Sequence, residues 1–164
     1  MINSDLVDYS DNFIFIKSFL DEVFTSVNIG KIAEDNKFVN LDKSLIANDY
    51  LAFNISNKNS IKLTFFIIID TLRIDILDLP EIIEYSIEDI KNNYNKIFNE
   101  IKCLLTSKCL VSKRCGCYRI KFIDNKNNIC KNYSFGYGFL AILTFCICPF
   151  SDNKTYKPIT EVLP

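Results

Sequence analysis

From Leu51 to Ile76 apolar side chains keep returning at every second position, and that period of two restricts the segment to half-buried β-strands. Leu51, Phe53 and Ile55 alternate with smaller or polar residues, Asn57-Lys58-Asn59 supplies a turn, and Ile61, Leu63, Phe65, Ile67 and Ile69 follow, alternating at first with Lys62 and Thr64. Asp70-Thr71 reads as a tight connection into Leu72, Ile74 and Ile76, whose intervening Arg73 and Asp75 should point to water. The pattern predicts a three-stranded antiparallel meander.

On both sides of the meander the period lengthens to three or four. Phe13, Ile16, Leu20, Phe24 and Val27 form one helical stripe, with Ser10 or Asp11 as N-cap and Gly30 as terminator. Residues 31–48 are mixed and carry no assignable pattern. A second helix starts near Ser86, with Asp89 three residues later as the partner in a short-armed capping box. Its buried face is Ile87, Ile90, Tyr94, Ile97, Phe98, Ile101 and Leu105, with Lys91, Lys96 and Lys102 away from that face or toward the end that favours cations. Beyond it Tyr118, Ile120 and Phe122 alternate with Arg119 and Lys121, Asn125-Lys126-Asn127-Asn128 turns, and Ile129 to Phe139 returns as a strand. The expected class is α+β, an antiparallel sheet in two groups of strands packed against two main amphipathic helices. With 164 residues, 49% of them hydrophobic, and no Pro/Gly/Ser-rich linker, residues 1–164 read as a single globular domain.

Charge is distributed unevenly although the net value is only -1. Between Asp70 and Asp89 the carboxylates of Asp70, Asp75, Asp78, Glu81, Glu84, Glu88 and Asp89 face a single cation, Arg73. Between Lys113 and Lys131 the sign inverts, with Lys113, Arg114, Arg119, Lys121, Lys126 and Lys131 against Asp124. Fields of this kind serve recognition and steering more than folding.

Several chemistries are disfavoured. There is no histidine, so the commonest general base and a Cys-His nucleophile pair are missing, and no Gly-x-Ser-x-Gly, Walker A or dinucleotide fingerprint occurs. Pairs such as Asp75 with Asp78, or Glu81 with Glu84, read as a solvated charged edge beside a strand-to-helix connection at Pro80, Ile82 and Ile83. The expectation is a protein that is not an enzyme and has no cofactor. The seven cysteines all fall in the second half, and their odd number, with no basic leader before an apolar stretch in Met1-Ile2-Asn3-Ser4-Asp5, argues for reduced thiols in a cytosol. Cys115/Cys117 and Cys146/Cys148 would each present two sulfurs on one strand face, yet their Cys-x-Cys spacing is tighter than zinc sites use, so no metal is expected.

The stretch from Asn132 to Ser151 holds no charged residue over twenty positions, but its glycines, its polar first third and Pro149 leave only Phe139 to Cys148 densely apolar, which suits a buried strand and not a membrane span. Within it, Gly136-Tyr137-Gly138-Phe139-Leu140 resembles the core of the RNP1 signature of RNA-recognition motifs. The flanks depart from that pattern, with Phe135 where a cation belongs and Ile142 where an aromatic belongs. RNA binding through this strand and the basic 113–131 segment is the alternative reading.

A second resemblance lies in Ile101-Lys102-Cys103-Leu104-Leu105-Thr106-Ser107-Lys108-Cys109-Leu110-Val111 followed by Cys115-Gly116-Cys117-Tyr118-Arg119-Ile120-Lys121-Phe122. A helix running into a Leu-x-Thr/Ser stretch, then a glycine before a Tyr-x-Ile-x-Phe strand, is similar to small immunity proteins of bacterial polymorphic-toxin and contact-dependent inhibition systems. The resemblance covers about an eighth of the chain and transfers no residue by position. It implies a bacterial, cytosolic protein that binds and masks a cognate toxin domain, frequently a basic nuclease, and neither nucleic acid nor membrane. A carboxylate-rich edge could occupy a phosphate-binding cleft by imitation, so Asp75, Asp78, Glu81, Glu84, Glu88 and Asp89 are the expected partner contacts.

Overall fold

The computed structural model describes residues 10–29, 39–41, 50–55, 59–77, 79–114, 117–135 and 152–162. The class is α+β, with three α-helices and two antiparallel sheets of five and four strands among the described residues. The chain divides into two compact units, Met1–Ser56 with Lys62–Phe98 and Asn57–Ile61 with Asn99–Pro164, each taken by itself below.

The first unit begins with α1, Asp11–Ser26, whose N-cap Ser10 accepts from the Phe13 amide. Phe13, Ile16, Phe19, Leu20, Val23 and Phe24 are its buried stripe. The helix stops before Gly30, the terminator expected from sequence. Asn28 adopts φ 61°, its N–H donates to the Thr25 carbonyl and that of Ile29 to the Phe24 carbonyl, a Schellman closure in which asparagine takes the usual place of glycine.

The sheet of this unit runs β1 (Val39–Leu41), β2 (Tyr50–Ile55), β3 (Leu63–Ile68), β4 (Thr71–Ile76) and β5 (Leu79–Ser86), each paired with the next in antiparallel sense. The meander is longer than the alternation alone predicts. Pro80, Ile82 and Ile83 belong to β5, an edge strand, and not to a strand-to-helix connection. Between the pairs Ile74↔Ile83 and Ile76↔Leu79 the β5 side carries three residues, 80–82, opposite Asp75 alone, and a bulge on an edge is where a proline without an N–H is tolerated. One face of the sheet is apolar: Phe53, Ile55, Leu63, Phe65, Ile67, Leu72, Ile74 and Ile76 are at most 1% exposed. Phe24 of α1 meets Phe53 and Phe65 edge-on at 5.9 and 5.4 Å, and those two rings stack on each other at 5.3 Å.

Turns join β3 to β4 and β4 to β5, the first of two residues. Ile69 opens the first with φ 53° and Leu77 the second with φ 56°. Tight hairpins favour a positive φ at this position, and glycine or asparagine would normally supply it. The connection at the first turn is therefore Ile69-Asp70, with Thr71 already in β4, one residue earlier than the expected Asp70-Thr71. After β5 the chain forms α2, Ile87–Asn92, through the full capping box of Ser86 and Asp89. The long second helix expected from periodicity is interrupted: Asn93 caps α2, and α3, Tyr94–Thr106, begins immediately after it.

In the second unit the residues of α3 from Asn99 onward accompany β6 (Lys108–Arg114), β7 (Cys117–Ile123), β8 (Ile129–Phe135) and β9 (Asp152–Tyr156), ordered β8-β7-β6-β9. Ile101, Leu104 and Leu105 of α3 share the core with Cys109, Val111, Ile120 and Phe122, while Glu100 forms an ion pair with Lys131 and accepts from the Tyr133 hydroxyl at 3.4 Å. The expected turn at 125–128 is present, with both oxygens of Asp124 accepting from Asn128 and Asn127 in the left-handed region. No helix among the described residues is long and apolar enough to cross a membrane. The RNP1-like Gly136–Leu140, the apolar run 139–148 and the thiols of Cys115, Cys117, Cys146 and Cys148 lie outside the described residues and side chains.

Candidate functional site

Of the carboxylates singled out in the sequence, β4 and its neighbours separate the set instead of gathering it. Six strand residues at about 3.4 Å each place the two ends of β4 about 17 Å apart. Asp75 stands near the end of β4 that leads to β5, Glu84 sits on β5 opposite Arg73 in the middle of β4, and Glu88 and Asp89 stand near the other end, where Ser86 pairs with Thr71.

Asp75 does not point freely into water. It lies on the outer face as the alternation requires, but it is only 7% exposed, and Arg73, two residues back on the same face, is bonded to it. Arg73 Nε and Nη2 each donate to one carboxylate oxygen at 2.9 Å, and the same guanidinium lies 5.1 Å from the centre of the Phe66 ring. Phe66 and Arg73 are register partners across β3 and β4, and Thr64 stands opposite Asp75. Thr64 in turn donates to Asn54 at 2.6 Å, so the outer face carries a polar row across β2, β3 and β4. Asp78 lies outside the described residues, and of Glu81 only the backbone, within β5, is described.

Asp89 has a structural task. Its Oδ2 accepts from the Ser86 backbone N–H at 3.1 Å and the Ser86 hydroxyl at 2.7 Å, and these bonds hold its carboxyl below the usual carboxylate range. Glu84 and Glu88 are exposed.

The arrangement adds Asp70 to the acidic group around the start of α2. Thr71 pairs with Ser86, and the Ile87 N–H donates to the Asp70 carbonyl at 2.8 Å, so the first hairpin turn and the start of α2 form one corner. Asp70 is exposed there, and beside it in the turn Ile69 is 59% exposed, while Glu84, Glu88 and Asp89 lie within three residues of Ser86 on the neighbouring strand and helix. Asp70 belonged to the acidic run in the sequence, but only the β4–β5 register reveals its nearness to Ser86 and Ile87. Among the described residues no three thiol or carboxylate groups converge to hold a metal ion.

The basic stretch also divides. Arg119 and Lys121 point to one face of the second sheet, opposite Ser112 and Leu110 on β6. Lys113 lies 5.3 Å from the Tyr118 ring, and Lys131 is engaged by Glu100. Tyr118, Phe122, Tyr133 and Phe135 occupy the face that α3 covers, with Phe122 fully buried, so the cationic face has no described aromatic on which a base could stack. No family model, no curated protein and no solved structure matches the chain.

Proposed function

We propose that this chain is an immunity-type protein of a bacterial toxin system, acting in the cytoplasm by docking its acidic corner onto a cognate, basic, nuclease-like toxin domain and masking the active site. The observation that supports the reading is the corner itself: exposed Asp70 and Ile69 in the first hairpin turn, joined by the hydrogen bond from Ile87 to Asp70 to the start of α2, with exposed Glu84 and Glu88 on either side of Ser86. An apolar anchor within a charged rim is the composition of an energetic centre with a steering field around it. Carboxylates placed this way oppose phosphate and attract the cations that a nuclease arrays for its substrate. The oxygens of Asp89 serve Ser86 at the start of α2, and those of Asp75 serve Arg73 away from the corner.

Co-expression with the toxic open reading frame neighbouring its own gene tests the proposal. Cells carrying the native chain survive, and the variant combining Asp70→Lys, Glu84→Lys and Glu88→Lys loses protection while its circular dichroism and melting temperature stay native. Full protection by the folded triple variant overturns the acidic-corner reading.

A further inference from the structure

Two thiols of the second unit meet at one hydroxyl. Cys103 on α3 and Cys130 on β8 are 27 residues apart in sequence, yet the Ser107 Oγ lies 3.4 Å from the Cys103 sulfur and 3.8 Å from the Cys130 sulfur. Ser107 is 3% exposed, so this hydroxyl is confined between them. Because it donates to Cys130, its oxygen is left to accept the Cys103 S–H, which gives a directed chain from Cys103 through Ser107 to Cys130. The two sulfurs differ in access: Cys130 is exposed and Cys103 half-buried.

We propose that Cys130 and Cys103 are a reversible oxidation site, in which Cys130 is the thiol attacked by a peroxide and Cys103 the thiol that resolves it to a disulfide between β8 and α3. The chemistry closes with hydrogen peroxide as the oxidant. The Cys130 thiolate attacks a peroxide oxygen, an S–O bond forms, the O–O bond breaks, and the departing hydroxide takes up a proton as water. The Cys103 sulfur then attacks the Cys130 sulfur, the S–S bond forms and the S–O bond breaks. The second hydroxide leaves as water with the Cys103 proton, which Ser107 is placed to relay. Two thiols lose two electrons in total and one peroxide becomes two waters.

Burial first, and the nearby Cys130 after it, push the Cys103 thiol up to about 11 although Ser107 and Lys131 act to lower it, so Cys103 stays protonated while Cys130 is reduced. Converting Cys130 to a neutral sulfenic acid removes that second cause, which eases Cys103 deprotonation at the moment it is needed.

The test uses the reduced full-length protein treated with hydrogen peroxide, alkylated with N-ethylmaleimide, digested and mapped by mass spectrometry. The expected product is a Cys103–Cys130 crosslinked peptide that a phosphine reductant returns to two alkylatable thiols. In the Cys103→Ser variant, Cys130 should stop as a sulfenic acid that dimedone traps, and in Ser107→Ala the crosslink should form more slowly with dimedone-reactive Cys130 accumulating. Overoxidation of Cys130 to a sulfinic acid while Cys103 remains alkylatable in the native protein overturns the proposal, as does a crosslink from Cys130 to any other cysteine.

Discussion

The backbone N–H of Ile87 donates to the Asp70 carbonyl at 2.8 Å, joining the first hairpin turn to the first residue of α2. A turn that would otherwise hang from two strand ends is thereby fixed to a helix start. The position of Asp70 and Ile69 consequently depends on the capping box next door. Replacing Ser86 with alanine removes the hydroxyl that accepts from the Asp89 N–H and should cost about 1 kcal/mol of stability, read as a lower urea midpoint with an unchanged slope. The same variant should resist acid differently. The folded Asp89 carboxyl lies below its unfolded value, so its contribution is present above the ordinary carboxylate range and disappears as pH falls through the folded value. Without Ser86 the acid-side loss of stability should be shallower.

Ile69 combines two properties that oppose each other. It is β-branched with φ 53°, where a side chain at Cβ crowds the following carbonyl and costs about 1–2 kcal/mol. Glycine at this position relieves the crowding but loses more chain entropy, for a net stabilisation of about 0.5–1 kcal/mol and a higher melting temperature. If the exposed Ile69 side chain is the apolar anchor of the proposed interface, Ile69→Gly should melt higher and protect worse. A variant that melts higher and protects as well as the native chain removes Ile69 from the interface.

Arg73 and Asp75 separate folding from recognition. Both guanidinium bonds go to a carboxylate that is 7% exposed, so Arg73→Leu strips two hydrogen bonds from a covered charge and should cost about 2–4 kcal/mol. Arg73→Leu combined with Asp75→Leu should cost less than the sum of the single changes, because no covered carboxylate remains. Asp75→Asn, provided the protein is kept below its lowered unfolding temperature, should leave protection in co-expressing cells unchanged, unlike reversal at Asp70, Glu84 and Glu88.

These residues also mark where the sequence was legible. Alternation placed Phe53, Leu63, Phe65, Leu72 and Ile74 on the buried face, and the Ser86–Asp89 pair marked the start of α2, because both signals are local. The strand β5 was obscured by Pro80 and its acids, since an edge strand with a bulge tolerates what an interior strand excludes. β6 is not marked by a period of two, since Lys108, Ser112, Lys113 and Arg114 interrupt its apolar positions, yet Lys108 to Arg114 pairs on both sides. The partition of the acidic run into a covered Asp75 and an exposed corner required the β4–β5 register, which no spacing within the run encodes.

Alkaline conditions should expose the buried thiol of Cys109. It is fully buried in the second sheet, and burial raises it from an ordinary 9.0 to about 12. Tyr94, half-buried in the first unit, is likewise raised to about 12, by burial first and then by its hydrogen bond to Glu22. Both groups are raised above their unfolded values, so the folded chain keeps protons that the unfolded chain releases, and stability must fall as pH rises. For Cys109 the contribution is complete below pH 9 and is lost as pH climbs toward about 12; for Tyr94 the loss begins nearer pH 10. Urea midpoints between these limits should therefore drop steadily for the native protein. Cys109→Val keeps the strand position apolar and has no proton to lose, so its midpoint should fall less over the same interval even if it starts lower. Tyr94→Phe should flatten only the upper part of the curve. Parallel curves for the native chain and Cys109→Val would mean that the thiol is not shielded from water as its place in β6 requires.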